Sequence, residues 1–168
     1  MSELRNIRNT DAEELKQFFN EIGEPSFRFL QLQEWIWEKS AERFEEMTNL
    51  PLALRQKLSE HFEFRKAEVH QEQHSTDGTV KNAVRLFDGL VVESVLIPTE
   101  SRSTACVSSQ VGCSLDCHFC ATARLKRMRN LSPDEIYDQV VLIDRQSRTK
   151  FDRPLSNIVF MGMGEPLL

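Results

Sequence analysis

Four cysteines, Cys106, Cys113, Cys117 and Cys120, are the only ones in a chain of 168 residues, and they follow the spacing C-x6-C-x3-C-x2-C. Three chemistries could use such a set. The first is a disulfide staple. The opening MSELRNIRNTDAEELK has no apolar core of a secretory signal, so the expected compartment is the cytoplasm, where thiols stay reduced. A Cys117–Cys120 bond would also close a small, strained ring. The second is zinc, which four thiolates would hold in a closed tetrahedral site. That reading makes the chain a zinc-binding RNA adaptor without catalytic activity. Zinc knuckles usually draw paired cysteines from separated places, whereas here one continuous stretch supplies all four.

The third chemistry uses three of them. Cys113, Cys117 and Cys120 form C-x3-C-x2-C, which differs from the ferredoxin spacings that ligate every iron of a cluster. Three thiolates on a [4Fe–4S] cluster leave one iron open to an outside ligand, such as a molecule carrying an amine and a carboxylate.

Other residues invite the same scrutiny. Glu93 interrupts the apolar run VVESVLIP, and an acid there is costly unless it is paired or functional. Near the end, NIVFMGMGEPLL breaks an apolar strand with Gly162, Gly164, Glu165 and Pro166. Arg124, Lys126, Arg127 and Arg129 follow the cysteines closely. They are either a solvated loop or a local grip on nucleic-acid phosphates within a chain of net charge -5. Trp35 fits a buried helix face, while Trp37 could stack on a base. His61, His70, His74 and His118 receive no role.

These residues need elements to hold them. With 40% hydrophobic and 28% charged residues the composition is that of a globular protein, and LVVESVLIP is too short to span a membrane. The first sixty or so residues read as helices. Thr10 and Glu13 suggest a capping box ahead of Leu15, Phe18, Phe19 and Ile22, and Gly23 ends the run. A second helix is expected from about Pro25 to Lys39, burying Phe27, Leu30, Trp35 and Ile36. A third follows Pro51 and uses Leu54, Leu58 and Phe62.

From about Ala67 the period changes. Asp77-Gly78 and Asp88-Gly89 separate β-rich stretches, predicting an antiparallel meander that ends at Pro98. STACVSSQ reads as a further strand that delivers the chain to the cysteines. Ser132, Pro133 and Glu135 then open a helix with Ile136, Val140 and Ile143 on its apolar face. With the strand before the glycine turn, this makes a βαβ unit of a parallel sheet buried on both sides. The fold class is therefore α/β.

The stretch CSLDCHFC resembles the cluster motif of radical S-adenosylmethionine (SAM) enzymes, with Phe119 ahead of the last cysteine, and GMGEP looks like their GGEP element. More closely, ESVLIP, ACVSSQVGCSLDCHFCATA and FMGMGEPL resemble the RlmN/Cfr-type RNA adenine-C2 methyltransferases, as does the front from FRFLQLQEWIWEK through FEEMTNLPLALRQKL. The resemblance runs over nearly the whole chain and implies three regions. Residues 1–65 would be a helical RNA-contacting domain, 66–98 a β-meander leading to the barrel, and 99–168 the start of an incomplete radical SAM (βα) barrel.

It also implies roles. Cys113, Cys117 and Cys120 would hold the [4Fe–4S] cluster. Phe119 would pack near the SAM adenine, and Gly162, Gly164 and Glu165 would meet its amino group. The family methylates adenine C2 in 23S rRNA and tRNA through a methyl-cysteine near the C-terminus. A 5′-deoxyadenosyl radical takes hydrogen from that methyl group, and the methylene radical adds to C2. Glu93 matches the residue that accepts the C2 proton, and Cys106 the cysteine that closes a disulfide to release the product. An external, flavodoxin-like electron donor and a monomeric state are expected. No cysteine follows Cys120, so these 168 residues are expected to be an inactive N-terminal portion.

Overall fold

The computed structural model describes residues 4–115 and 117–168, which form two compact units dividing between Arg65 and Lys66. The first is helical, with α1 (Ala12–Glu21), α2 (Ser26–Trp37) and α3 (Leu52–His61). Two short strands, β1 (Arg5–Asn6) and β2 (Phe62–Glu63), pair in parallel and bring its two ends together. Ile7, Leu15, Phe19, Leu32, Ile36, Leu54, Leu58 and Phe62 are fully buried in its core.

Three expectations for this unit change. The cap of α1 is Asp11, whose side chain accepts from the amides of Glu13 and Glu14, while Thr10 donates its hydroxyl to the Asn6 carbonyl. The buried face of α2 is Phe29, Leu32 and Ile36, and Phe27 and Leu30 are 50% and 65% exposed. Phe62 is buried as expected, but from β2 rather than from α3. Trp35 and Trp37 are both half-buried against this core, and Trp35 Nε1 donates to Asn49 Oδ1.

The second unit is built on a five-stranded mixed sheet. Its strands are β3 (Glu68–His74), β4 (Val80–Arg85), β5 (Val91–Pro98), β6 (Ser103–Cys106) and, in order across the sheet, β9 (Asn157–Val159). The first four run antiparallel, and both Asp-Gly turns form where expected, with Gly78 and Gly89 at φ +87° and +85°. Such backbone suits glycine in tight hairpins. A small ribbon of β7 (Gln110–Val111) and β8 (Arg129–Asn130) brackets the cysteine loop.

Helix α4 (Pro133–Phe151) starts with the expected Ser132–Glu135 capping box and Pro133. It crosses from β6 to the parallel strand β9, completing the βαβ unit. Ile143, with Ile136 and Val140 beside it, packs on Val80, Leu96, Ala105 and Val107. Asn82, buried in β4, exchanges two amide hydrogen bonds with Gln146 of α4 at 2.9 and 2.8 Å. At β9 Ile158 is 51% exposed, and Phe160 and Met161 beyond it are exposed as well.

Candidate active site

The site begins with strand alternation. Successive side chains in a strand point to opposite faces, so the register fixes which residues share a face. Ala83 lies opposite Glu93, Val95 opposite Cys106, and Cys106 opposite Val159. Glu93 and Cys106 therefore share one face of the sheet as diagonal neighbours. Val92, Ser94 and Leu96 are buried on the other face, where Leu96 meets Ile143 of α4.

Glu93 is not the isolated acid the sequence suggests. Its carboxylate pairs with Lys81 Nζ at 2.6 Å, with both side chains close to half exposed. Cys106 is 7% exposed, and burial pushes its thiol pKa up against a lowering hydrogen bond from the Met161 backbone. That environment suits a neutral thiol. It does not match the reachable thiolate that disulfide chemistry requires at the moment of attack.

Past Cys106 the chain runs directly against the glycine turn. Gly162 N–H donates to the Val107 carbonyl, and Met163 N–H to Ser108 Oγ at 2.8 Å. Ser109 and Gln110 N–H both donate to the Met163 carbonyl, and Glu165 N–H reaches Gln110 Oε1. The approach is too close for side chains at the two glycines. A Cβ on Gly162 would lie 2.7 Å from Ser108 Oγ, and one on Gly164, at φ +96°, 2.5 Å from Gln110 Cβ. The GMGE turn and the stem of the cysteine loop are thus one hydrogen-bonded piece.

From that stem the loop leaves at Gly112 (φ +76°), where a Cβ would strike the Lys126 carbonyl at 2.3 Å. Cys113, Cys117 and Cys120 are all half-exposed, and like the buried Cys106 they are free of disulfides. Cys113 Sγ accepts from Leu115 N–H, and Cys120 N–H bonds to the Cys117 carbonyl. Backbone hydrogen bonds from Ala123 and Thr122 lower the Cys120 thiol pKa. Phe119 is 94% exposed. Among the described residues, no three His, Cys, Asp or Glu side chains converge on a metal position. The donor chemistry nevertheless fits an iron–sulfur cluster: three thiols lie on one loop, each open to solvent and free of disulfides.

The basic run divides. Arg124, Lys126 and Arg127 are exposed, and the last bonds Asn130. Arg129 is committed to protein contacts: it pairs with Asp88 and Glu135, which raise its pKa against the opposing effect of burial. It pins the loop's exit to α4 and is not a free phosphate ligand. Lys126, Arg127, Val91, Leu125, Met128 and Met163 line a cleft of about 630 Å³ at the loop's base.

The profile of the ribosomal RNA large subunit methyltransferase N-terminal domain matches residues 5–64. A Christiangramia forsetii protein named "Probable dual-specificity RNA methyltransferase RlmN" is 63% identical over 164 residues, covering 98% of this chain and 47% of that protein. A Flavobacterium psychrophilum protein of the same name is 63% identical over 166 residues, covering 99% and 48%. This chain belongs to the RlmN family. It spans about half the length of the curated RlmN proteins it matches, corresponding to their N-terminal part. The crystal structure of a radical SAM methyltransferase from Sphaerobacter thermophilus superposes with a TM-score of 0.81 at 36% identity, over 97% of this chain and 48% of that one.

Ser108 and Gln110, which bond the glycine turn, and Gln139, which bonds Ser108, have no counterpart in the sequence reading. Gln139 did leave a signal. It falls three residues after Ile136 and four before Ile143, so it places a polar side chain in the apolar stripe of α4.

Proposed function

We propose that the chain is the cluster-binding half of a radical SAM enzyme that methylates adenine C2 in 23S rRNA and tRNA. The observation that carries this reading is the hydrogen-bonded union of the GMGE turn with the stem of the cysteine loop. It draws together the two motifs that a SAM-binding iron–sulfur site requires. In this reading Cys113, Cys117 and Cys120 hold a [4Fe–4S] cluster, and residues 66–98 lead into an incomplete (βα) barrel starting near residue 99. When bound, the cluster supplies the electron that cleaves SAM, delivered to it by an external flavodoxin-like protein.

The chain's own residues do the rest. Gly162, Gly164 and Glu165 receive the SAM amino group, and Phe119 packs by its adenine. Glu93 takes the proton from adenine C2. Cys106, on the same face of the sheet, attacks the sulfur of a second cysteine as a thiolate: the S–S bond forms as the bond from that sulfur to the RNA-linked carbon breaks, and the carbon keeps that electron pair and takes up a proton to become the methyl group. Because Cys106 is buried as a thiol, its proton must be removed when that step occurs. Lys126 and Arg127 contact RNA phosphates, assisted by the helical region 1–65. The enzyme works as a cytoplasmic monomer. These 168 residues supply no cysteine after Cys120, so alone they do not complete methylation.

Anaerobic reconstitution of the chain with iron and sulfide, followed by EPR with and without SAM, tests the reading. The expected result is a reducible four-iron cluster that requires Cys113, Cys117 and Cys120 and whose signal changes on adding SAM. Tight zinc bound through Cys106 as well, with no SAM response, would overturn it in favour of the zinc adaptor.

A further inference from the structure

Ser108 is fully buried just past the end of β6, and its single hydroxyl makes two directed bonds. It donates to the Glu93 carbonyl at 2.5 Å and accepts from Met163 N–H at 2.8 Å. A serine hydroxyl has one proton to give and lone pairs to receive with, so both bonds can form together. One atom thereby joins β5, at the candidate base, to the glycine turn. Ser108 is itself held on its main chain. Gln139, also fully buried, accepts from Ser108 N–H with Oε1 at 2.9 Å and donates Nε2 to the Ser108 carbonyl at 3.2 Å. The same Nε2 reaches the Glu135 carbonyl one turn back in α4.

A carboxamide that pairs with both main-chain groups of one residue fixes its position and its rotation. Beside Ser108 the fit is tight, since Gly162 has no room for even a methyl group. We propose that Ser108 and Gln139 are positioning residues, a relay through which α4 sets the glycine turn against β5 and so shapes the SAM-binding edge of the site. Neither touches the reacting atoms. The inference rests on the proposed function for the identity of the ligand, but the coupling it describes lies within the chain itself.

Amide hydrogen exchange followed by NMR on the 168-residue chain tests the coupling. Ser108→Ala is expected to speed exchange at Met163 N–H at least tenfold while Val84 and Leu96 stay within twofold. Gln139→Met, which does not touch the turn, is expected to do the same. An unchanged Met163 rate in Ser108→Ala or in Gln139→Met overturns the proposal. Equal acceleration at all three amides also overturns it, because that is general loosening.

The second readout is the SAM-dependent EPR change of the reconstituted chain. Ser108→Ala and Gln139→Met should need at least tenfold more SAM to reach half the change, with the cluster signal itself retained. An undiminished SAM response in both variants overturns the positioning role while the proposed function stands. If the unaltered chain shows no SAM response, the proposed function falls, and the exchange data alone decide the relay.

Discussion

Arg129 and Glu135 meet end to end, with Nη1 to Oε2 and Nη2 to Oε1 both at 2.7 Å. The pair closes the exit of the cysteine loop onto the first turn of α4. Glu135 Oε2 also accepts from Ser132 N–H, so one carboxylate caps the helix and fastens the loop.

Removing this fastening should loosen the loop and weaken the helix start together. Arg129→Ala is expected to lower stability by about 2 kcal/mol, the scale of hydrogen bonds to charged groups. Urea unfolding measures the loss. A midpoint within error of the unaltered chain would show that the pair is an ordinary surface contact.

Cys106 should be the slowest of the four thiols to alkylate. Burial hides it and raises its pKa, whereas the other three are half-exposed. Iodoacetamide labelling of the metal-free chain at neutral pH, read by peptide mass spectrometry, is expected to modify Cys106 at least tenfold more slowly than the loop cysteines. Equal rates would mean that β6 opens freely to solvent.

Glu72 predicts an acid limb in the stability curve. Burial pushes its pKa up, but hydrogen bonds from Lys150 and Gln146 and the charges of Lys150 and His74 outweigh this and leave it below the ordinary 4.5. A depressed carboxylate pKa stabilises the fold above its unfolded value, and this contribution is lost as pH falls through the folded one. Glu72→Gln should therefore flatten the stability profile below about pH 4.5 while lowering the plateau above it. Urea midpoints across pH 3 to 7 provide the measurement, and parallel profiles for the two chains would refute the assignment.

Two glycines should respond to alanine for opposite reasons. At Gly89 the space is open and only φ +85° is unfavourable, so Gly89→Ala should cost about 1 kcal/mol. At Gly162 the added carbon meets Ser108 and Val107 backbone at 2.8 Å. Overpacking there should cost about 3 kcal/mol and should shift the NMR signals of Ser108 and Met163. A Gly162→Ala chain as stable as Gly89→Ala, with those signals in place, would contradict the close approach.

What could be read beforehand depended on how local the physics was. Asp77-Gly78, Asp88-Gly89 and the Ser132–Glu135 box each act within four residues, and each formed as expected. The face of α2 did not. SFRFLQLQEWIW is apolar at so many positions that no single stripe stands out, and only packing selects Phe29, Leu32 and Ile36 over Phe27 and Leu30. The choice of Asp11 over Thr10 as cap turned on a one-residue shift in where the helix begins.

In the site, the cysteines, Glu93 and the glycine turn were visible as residue types in unusual settings. Their relation was not, because it depends on register: Glu93 and Cys106 share a face only once β5 and β6 are aligned. Ser108 and Gln110 looked like ordinary strand residues. Their partners in the glycine turn lie 55 positions away, and nothing near them in the chain announces those bonds.

The two borders of the sheet are chemically unlike. Along β3 the exposed side chains include Glu68, Gln71, Glu72, Gln73 and His74, a charged and polar row that resists strand pairing. The border at β9 instead shows Ile158, followed by Phe160 and Met161. An added strand therefore meets charge at the β3 border and apolar side chains at the β9 border, so of the two it is β9 that favours a further strand.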